Sequence, residues 1–268
     1  MADQATGAVP VHPPRTRFIL IEPSHAGNVG AAARAVKVMG FSELALVNPR
    51  WPNVLARQEA IERASGATDV LQAARVAATL DEALEGMTHL CATVMTPRDF
   101  GPPTTTPRAH FDALLPGDAP SQWPEGVAFL FGPERYGMSN ADVYRCHAAL
   151  SIPSNPAFGS LNLAAAVQLI AYDWRQALIA RGMGYGAAPA SIAPAAPRQR
   201  SADAAQVAGL LAHWEQALVH LQFLDPQAPR KLMPRLAQLF NRAGPTVEEI
   251  DILRGIARAM EQATPRQH

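Results

Sequence analysis

The sequence has few cysteines, no net charge and no long hydrophobic runs. Its two cysteines, Cys91 and Cys146, cannot build a disulfide framework, and their spacing fits no zinc signature. Lysine and arginine (23) balance aspartate and glutamate (23), which argues against a uniformly basic coat protein but allows local basic patches. No segment is apolar for long enough to span a membrane, and residues 1–15 lack the basic and apolar regions of a secretory signal. We therefore expect a cytoplasmic protein that does not enter a membrane.

The composition predicts a folded chain with two structured regions. Hydrophobic residues make up 48% and charged residues 17% of the 268 residues, which is typical of globular proteins. Residues 1–16 are predicted to be a disordered tail, and residues 182–202, rich in glycine, alanine and proline, a linker. The linker separates a main domain at 17–181 from a helical C-terminal domain at 203–264.

Short apolar runs alternate with helical periodicity in the main domain. The predicted strands are 18–21, 44–47, 75–79, 90–95, 127–131 and 148–152. Helices are predicted between them, including 31–39 and 161–180, with Ser139 and Ser160 at N-cap positions. This alternation predicts an α/β fold, a mostly parallel sheet with helices on both faces, followed by three further helices.

Four polar loops follow successive predicted strands, at 22–34, 93–98, 131–140 and 152–162. Because the carboxyl ends of parallel strands share one edge of a sheet, these loops are expected to converge on one pocket. The glycines of the first loop suggest a dinucleotide site. That reading fails because the Gly27–Gly30 spacing misses the fingerprint and Asn48-Pro49-Arg50 stands where an acid is needed.

Three segments in these loops resemble the motifs of the SpoU branch of the SPOUT RNA methyltransferases. They are Asn-Val-Gly-Ala-Ala-Ala-Arg-Ala at 28–35, Phe-Gly-Pro-Glu-Arg-Tyr-Gly-Met at 131–138, and Ile-Pro at 152–153 with Ser-Leu-Asn-Leu-Ala at 160–164. Residues 231–236, 241–243 and 252–256 also resemble the C-terminal signature of a subfamily that methylates tRNA. The motifs occur in the family's order and spacing.

The resemblance implies a trefoil knot at the C-terminal end of the sheet and a homodimer. It also implies S-adenosylmethionine as the methyl donor, without a metal. The substrate of that subfamily is the ribose 2′-hydroxyl of the pyrimidine at position 32 in the tRNA anticodon loop. By position in the motifs, the implied cofactor-binding residues are Thr93, Val94, Met95, Gly132, Ile152, Ser160, Leu161 and Asn162.

The resemblance implies three catalytic residues, Asn28, Arg34 and Glu134. Arg34 matches an arginine that is sometimes assigned as the base, but a guanidinium stays protonated and only donates. We expect Arg34 to hold a phosphate or to lower the pKa of the hydroxyl instead. Asn28 would orient Arg34 or the ribose, and Glu134 would accept a hydrogen bond from Asn28 or the ligand. Met95 and Pro97 depart from the small-residue segment that the family often has here.

Several alternatives stay open at this point. The chain could modify ribosomal RNA or another tRNA position, or bind RNA with a degenerate cofactor pocket. The choice between cytidine and uridine is open, as is the subunit that supplies Arg34. A basic cluster in the C-terminal domain is a candidate track for RNA phosphates. Its members are Arg230, Lys231, Arg235 and Arg242.

Overall fold

The computed structural model describes residues 12–117, 119–183, 200–227 and 231–263, and within them it shows an α/β unit followed by three helices. The strands are β1 Arg15–Ile21, β2 Glu43–Val47, β3 Arg75–Ala77, β4 His89–Thr93, β5 Thr104–Thr105, β6 Gly126–Phe131 and β7 Ala148–Leu150. The helices are α1 Ala26–Val38, α2 Gln58–Ala64, α3 Thr68–Gln72, α4 Leu80–Leu84, α5 Pro107–Leu114, α6 Asn140–Tyr144, α7 Leu163–Ala180, α8 Ala204–His220, α9 Leu232–Ala243 and α10 Val247–Gln262.

The seven strands form one parallel sheet in the order β3-β2-β1-β6-β4-β7-β5. This confirms the predicted fold class. All the strands end at the same edge, which we call the carboxyl edge, and begin at the opposite amino edge. The chain moves outward from β1 through β2 to β3 and then crosses to the other side of β1. In parallel sheets, the loops at the carboxyl ends around such a crossing form the usual ligand site.

The sheet is buried on both faces. One core contains Phe18 and Leu20 of β1, and the other contains Ile19 and Ile21, as expected for the alternating side chains of a covered strand. In the first core, the fully buried indole of Trp174 donates a hydrogen bond to Thr16 Oγ1 at 2.9 Å. The predicted tail therefore ends too late, because Arg15 and Thr16 already pair with β6.

Two elements differ from the sequence expectation. Helix α1 begins at Ala26 rather than residue 31, because Gly27 and Gly30 lie in its first turns and let α2 approach. A Cβ on Gly30 would overlap the carbonyl oxygen of Ala60. Residues 101–107, where the sequence predicts neither a strand nor a helix, contain the two-residue β5 and the start of α5. Pro107 occupies the first turn of α5, a position where proline leaves no hydrogen bond unmade.

The C-terminal helices α8, α9 and α10 form a small core around Leu210, Phe240 and Ile250 and dock on the α/β unit. The amide of Ala204 donates to the Met87 carbonyl at 3.0 Å. Docking on the main domain agrees with what a helical unit of this size requires for stability. None of the described helices could cross a membrane. Residues 1–11 of the predicted tail and 184–199 of the predicted linker lie outside the described residues.

Candidate active site

A cleft of about 710 Å³ opens at the carboxyl edge, between the loops that follow β4, β6 and β7. Its volume is in the range of small-molecule sites. Three of the four predicted loops thus converge, and the first, at 22–34, does not line the cleft. Seven of the eight predicted cofactor residues line the cleft, namely Thr93, Val94, Met95, Gly132, Ile152, Ser160 and Leu161. Glu134 also lines it, whereas Asn28, Arg34 and Asn162 are not among its lining residues.

A chain of hydrogen bonds connects all three motifs beside the cleft. Asn28 Nδ2 donates to Glu134 Oε1 at 2.9 Å, and Asn162 Nδ2 donates to Asn28 Oδ1 at 2.9 Å. Ser24 completes the network, because its amide and its hydroxyl both donate to Glu134 Oε2, at 3.0 and 2.7 Å. Side chains as far apart in sequence as 24, 134 and 162 therefore hold one fixed arrangement.

The same network determines the charge of Glu134. Burial disfavours the carboxylate, but the hydrogen bonds from Asn28 and Ser24 outweigh it and hold the pKa of Glu134 below its ordinary value. Glu134 forms no ion pair within the described residues. The cleft therefore contains a fixed negative charge at neutral pH that only neutral donors hold in place.

Asn162, and not Ser160, is the N-cap of α7. Its Oδ1 accepts the amide of Ala164 at 2.9 Å, so the predicted cap at Ser160 is wrong and the helix begins at Leu163. Ser160 instead lies free of the helix in the lining of the cleft. Both types of residue cap helices well, so composition could not separate them. With its oxygen on the cap and its amide on Asn28, Asn162 connects α7 to α1.

Gly132 is required by the loop that it begins. A Cβ at this position would overlap the backbone nitrogen of Met138 and the carbonyl carbon of Gly137. The motif loop at 131–138 therefore folds back on its own main chain, and only glycine permits that approach. The family resemblance implies that the same glycine binds the cofactor, whereas the close contact in the structure is with the chain's own backbone.

The cleft holds polar atoms without partners beside exposed apolar groups. Among the described residues, Thr93 Oγ1 and Arg98 Nε are buried and have no hydrogen-bond partner. Buried polar atoms of folded proteins are almost always paired, so an unpaired hydroxyl in a cleft is a natural contact for a ligand. Met95 and Tyr136 line the same cleft and are 64% and 79% exposed.

Arg34 lies apart from the cleft, on the exposed face of α1. It forms no hydrogen bond or ion pair with the described part of the chain. Lys37, one turn further along, binds Asp69 Oδ1 at 2.8 Å and the Gly66 carbonyl at 2.9 Å. The structure therefore separates a bound lysine from an arginine whose guanidinium is free for another molecule.

Sequence reasoning did not find three site residues. The contact of Ser24 with Glu134 could not be predicted because the two residues are 110 positions apart in the sequence. Arg98 and Arg135 belong to the motif loops and line the cleft, but a charged residue in a polar loop gives no distinct signal in one sequence.

Family models match most of the chain. Residues 15–172 match the model described as the SpoU rRNA Methylase family, and residues 205–268 match that of the C-terminal domain of tRNA methyltransferase TrmJ. The two matches correspond to the α/β unit and to the C-terminal helices.

Similar proteins agree with both models. The tRNA (cytidine/uridine/adenosine-2′-O-)-methyltransferase TrmJ of Pseudomonas aeruginosa is 40% identical over 244 residues, which cover 90% of this chain and 92% of that protein. The crystal structure of TrmJ from Z. mobilis ZM4 superposes with a TM-score of 0.74 at 31% identity, over 93% of this chain and 100% of that one. A probable methyltransferase from Bordetella pertussis Tohama I is 48% identical, with a TM-score of 0.55, over 62% of this chain and 96% of its own.

Proposed function

The chain belongs to the SpoU methylase family of methyltransferases and carries a TrmJ C-terminal domain, and we propose that it methylates tRNA at the ribose 2′-hydroxyl of the pyrimidine at position 32 in the anticodon loop. The methyl donor of this proposal is S-adenosylmethionine, and the reaction takes place in the cytoplasm. Family membership also implies that a trefoil knot closes the carboxyl edge.

The observation that carries the proposal is the convergence of the loops after β4, β6 and β7 on one cleft. Seven residues assigned to the cofactor from the sequence line that cleft, and they include Thr93, whose hydroxyl has no partner in the protein. Main-chain groups near Gly132, Ile152 and Leu161 suit the adenosine and methionine parts, and Met95 offers apolar contact. These donor and apolar groups fit S-adenosylmethionine. When bound, it supplies a methyl group already activated by the sulfonium charge.

The protein's own residues then position the ribose and manage its proton. Both oxygens of Glu134 accept hydrogen bonds and its pKa is lowered, so this carboxylate holds Asn28 rather than acting as a strong base. Arg34 is a permanent cation and cannot take the hydroxyl proton. We assign to it the binding of an RNA phosphate and the lowering of the 2′-hydroxyl pKa, so that the proton leaves to solvent as the methyl group transfers.

The RNA substrate is supported by the relatives' names and by the C-terminal helices. The curated relatives are named as tRNA 2′-O-methyltransferases that act on cytidine and uridine, and one name adds adenosine. Of the basic cluster, Lys231, Arg235 and Arg242 lie on or next to α9, and Arg230 lies outside the described residues. Helix α9 contacts the loop after β4, because Gln238 Nε2 donates to the Gly101 carbonyl at 2.9 Å. A phosphate track along α9 would therefore end near the cleft.

The position of Arg34 supports a homodimer as the active form. An arginine that does not line the cleft of its own chain can reach a ribose there from a second copy. Two inactive variants, Arg34→Ala and Asn162→Ala, would then restore partial activity when mixed, because one of the mixed sites contains neither change.

The test is a methylation assay with labelled S-adenosylmethionine and unmodified tRNA transcripts, followed by nuclease digestion and mass spectrometry. We expect a 2′-O-methyl pyrimidine at position 32. Arg34→Ala should lower the rate at least about 100-fold while binding of S-adenosylmethionine, measured by calorimetry, stays unchanged. Arg63→Ala, which removes an exposed arginine of the neighbouring α2, is the matched control and should keep full activity.

Other results would redirect the assignment. Transfer only to ribosomal RNA, or to another tRNA position, would overturn the proposed substrate and keep the enzyme class. Absence of cofactor binding would overturn the proposed reaction and favour an RNA-binding protein with a degenerate pocket.

A further inference from the structure

Three histidines lie together at the amino edge of the sheet, opposite the carboxyl edge that carries the cleft, and Cys91 in the middle of β4 lies beside them. His89 and Cys91 are two positions apart on β4, so their side chains project from the same face. His110 lies on α5, which covers that face. The ring of His147, just before β7, lies against the ring of His89 at an interplanar angle of 33°, with 4.7 Å between the ring centres.

The atoms that could bind an ion converge. His89 Nε2 and His110 Nε2 are 2.9 Å apart, and one ligand atom from each of His89, Cys91 and His110 lies within 4.8 Å of the others. Two imidazole nitrogens on one tetrahedral zinc ion lie roughly 3.3 Å apart, given Zn–N bonds of about 2.0 Å. Shared coordination would therefore require the two nitrogens to move apart by a few tenths of an ångström and the two rings to turn toward a common point beside Cys91 Sγ.

We propose that His89, Cys91 and His110 bind a zinc-class divalent ion that fixes α5 to β4, outside the methyl-transfer site. Imidazole and thiolate are the ligands that such ions prefer in proteins. Three protein ligands leave one position of a tetrahedral ion for water, and His110 is only partly buried, which allows the ion to enter. Because the cluster lies at the amino end of β4, the ion acts on the packing of α5 and not on the transferred methyl group.

His147 is a neighbour of the ion and not a ligand. Its Nδ1 accepts the amide of Leu90 at 3.1 Å, so in the neutral ring Nε2 carries the proton and no nitrogen lone pair is free. In the hydrogen bond between His89 and His110, one Nε2 carries the proton and the other accepts it. Only the donor ring must therefore move its proton from Nε2 to Nδ1 before both nitrogens can coordinate. The only proton released to solvent is then that of the Cys91 thiol, one per ion bound.

Their surroundings keep the two imidazoles neutral and the Cys91 thiol protonated before an ion binds. Burial and the neighbouring rings lower the pKa of His89 well below its ordinary value, and burial lowers that of His110 to about 4. Both rings are therefore neutral at pH 7. Burial raises the pKa of the Cys91 thiol, so the thiolate forms only when a cation replaces its proton.

The test uses the full-length protein after chelator treatment, titrated with Zn²⁺ against a chromophoric chelator and separately with Co²⁺. We expect one ion per chain, a cobalt spectrum with a sulfur-to-metal charge-transfer band, and an affinity that falls about tenfold for each unit of lower pH, since one proton is displaced. Zinc should also raise the melting temperature of the protein.

Variants separate this site from adventitious binding. Cys91→Ser should abolish the charge-transfer band, and His110→Gln should weaken binding at least about 100-fold. His147→Asn, whose side-chain oxygen can still accept the Leu90 amide, should keep both the band and the affinity, as should His220→Gln at the exposed end of α8. A dissociation constant weaker than about 10 μM for both zinc and cobalt, measured on the unmodified protein, would overturn the proposal. So would binding without the sulfur band, which needs no variant to be observed.

Discussion

Two partly buried glutamates lie at opposite edges of the sheet and are held in opposite ways. Glu43 begins β2 at the amino edge and is paired with Arg15 Nε at 2.6 Å and Arg17 Nε at 3.0 Å. Glu134 follows β6 at the carboxyl edge and accepts its hydrogen bonds from the neutral groups of Ser24 and Asn28. One carboxylate is neutralised by cations, and the other keeps its charge.

The difference distinguishes contacts that stabilise the fold, at the amino edge, from groups that are available to a ligand, at the carboxyl edge. The Arg17 guanidinium is nearly buried and also donates to the carbonyls of Ala83 and Glu85, so the amino edge is a closed set of contacts. At the carboxyl edge, the negative charge of Glu134 faces a cleft that also contains unpaired donors. A carboxylate that no arginine pairs is available for direct contact with a cationic group such as a sulfonium, in a cleft that Arg98 and Arg135 also line.

Removing each glutamate gives the largest expected effects. Glu134→Ala releases Asn28 and Asn162 from their arrangement, and we expect kcat/KM for tRNA methylation to fall about 100-fold or more, equivalent to roughly 3 kcal/mol. Glu43→Ala leaves the buried Arg17 charge without its carboxylate and should lower the free energy of unfolding by about 2 to 3 kcal/mol, with activity of the folded protein within about twofold. Denaturant titrations and steady-state kinetics on both variants measure the contrast.

Glu62→Gln is the control for this pair, because Glu62 is exposed on α2 and should change neither quantity. Equal losses of activity in Glu43→Ala and Glu134→Ala, at equal fractions folded, would contradict the assignment of function to one edge.

Two glycines, one that begins β6 and one that follows it, sharpen the same comparison. A Cβ at Gly126, on the amino side, would lie 2.7 Å from the carbonyl oxygen of Gly86, and a Cβ at Gly132 would overlap the backbone of Met138. Alanine at either position should cost about 2 kcal/mol of stability, since backbone must move. Only Gly132→Ala should also weaken binding of S-adenosylmethionine, because only that loop borders the cleft.

Gly117→Ala, which has open space around the added methyl group, is the neutral control. Cofactor affinity that falls as much in Gly126→Ala as in Gly132→Ala, measured on folded protein by calorimetry, would show that stability alone governs the cleft.

The comparison also shows what one sequence can predict. The strands at the centre of the sheet were found because a strand buried on both faces reads as a continuous apolar run, as in β1 and β6. The two-residue β5 was missed because it rests on two pairings with β7 in a segment rich in proline. Family motifs identified the loops of the cleft.

Contacts between distant residues lay beyond sequence reasoning. The bond from Ser24 to Glu134 exists because β1 and β6 are neighbours, and strand order cannot be read from periodicity. The histidines of the amino edge are dispersed along the chain, and only the packing of α5 on β4 brings His89 and His110 together. Both sets depend on topology, and neither has a spacing that marks it.

A pH titration tests what the two glutamates share, with a smaller effect. Burial disfavours the charged form of each, but hydrogen bonds from Arg15 and Arg17 to Glu43, and from Asn28 and Ser24 to Glu134, lower both pKa values. A carboxyl whose pKa is lower in the folded state stabilises the fold above its unfolded pKa, and this stabilisation is lost as the pH falls through the folded pKa. Glu43→Gln and Glu134→Gln should each reduce the amount by which the free energy of unfolding decreases between neutral and acid pH. A loss identical to that of the unmodified protein would contradict the prediction.

The smallest expected effect concerns Thr93, at the carboxyl end of the strand that begins with His89. Thr93→Val replaces a buried hydroxyl that has no partner in the protein with a methyl group of similar size. Because no hydrogen bond within the protein is lost, stability should stay unchanged or rise slightly. If the hydroxyl binds the cofactor, its removal should weaken the affinity for S-adenosylmethionine about tenfold, or roughly 1.4 kcal/mol. Calorimetry and thermal unfolding decide between two roles. A variant that loses stability and keeps its affinity would place Thr93 among the structural contacts, as at the amino edge, and the unpaired hydroxyl would no longer mark a ligand site.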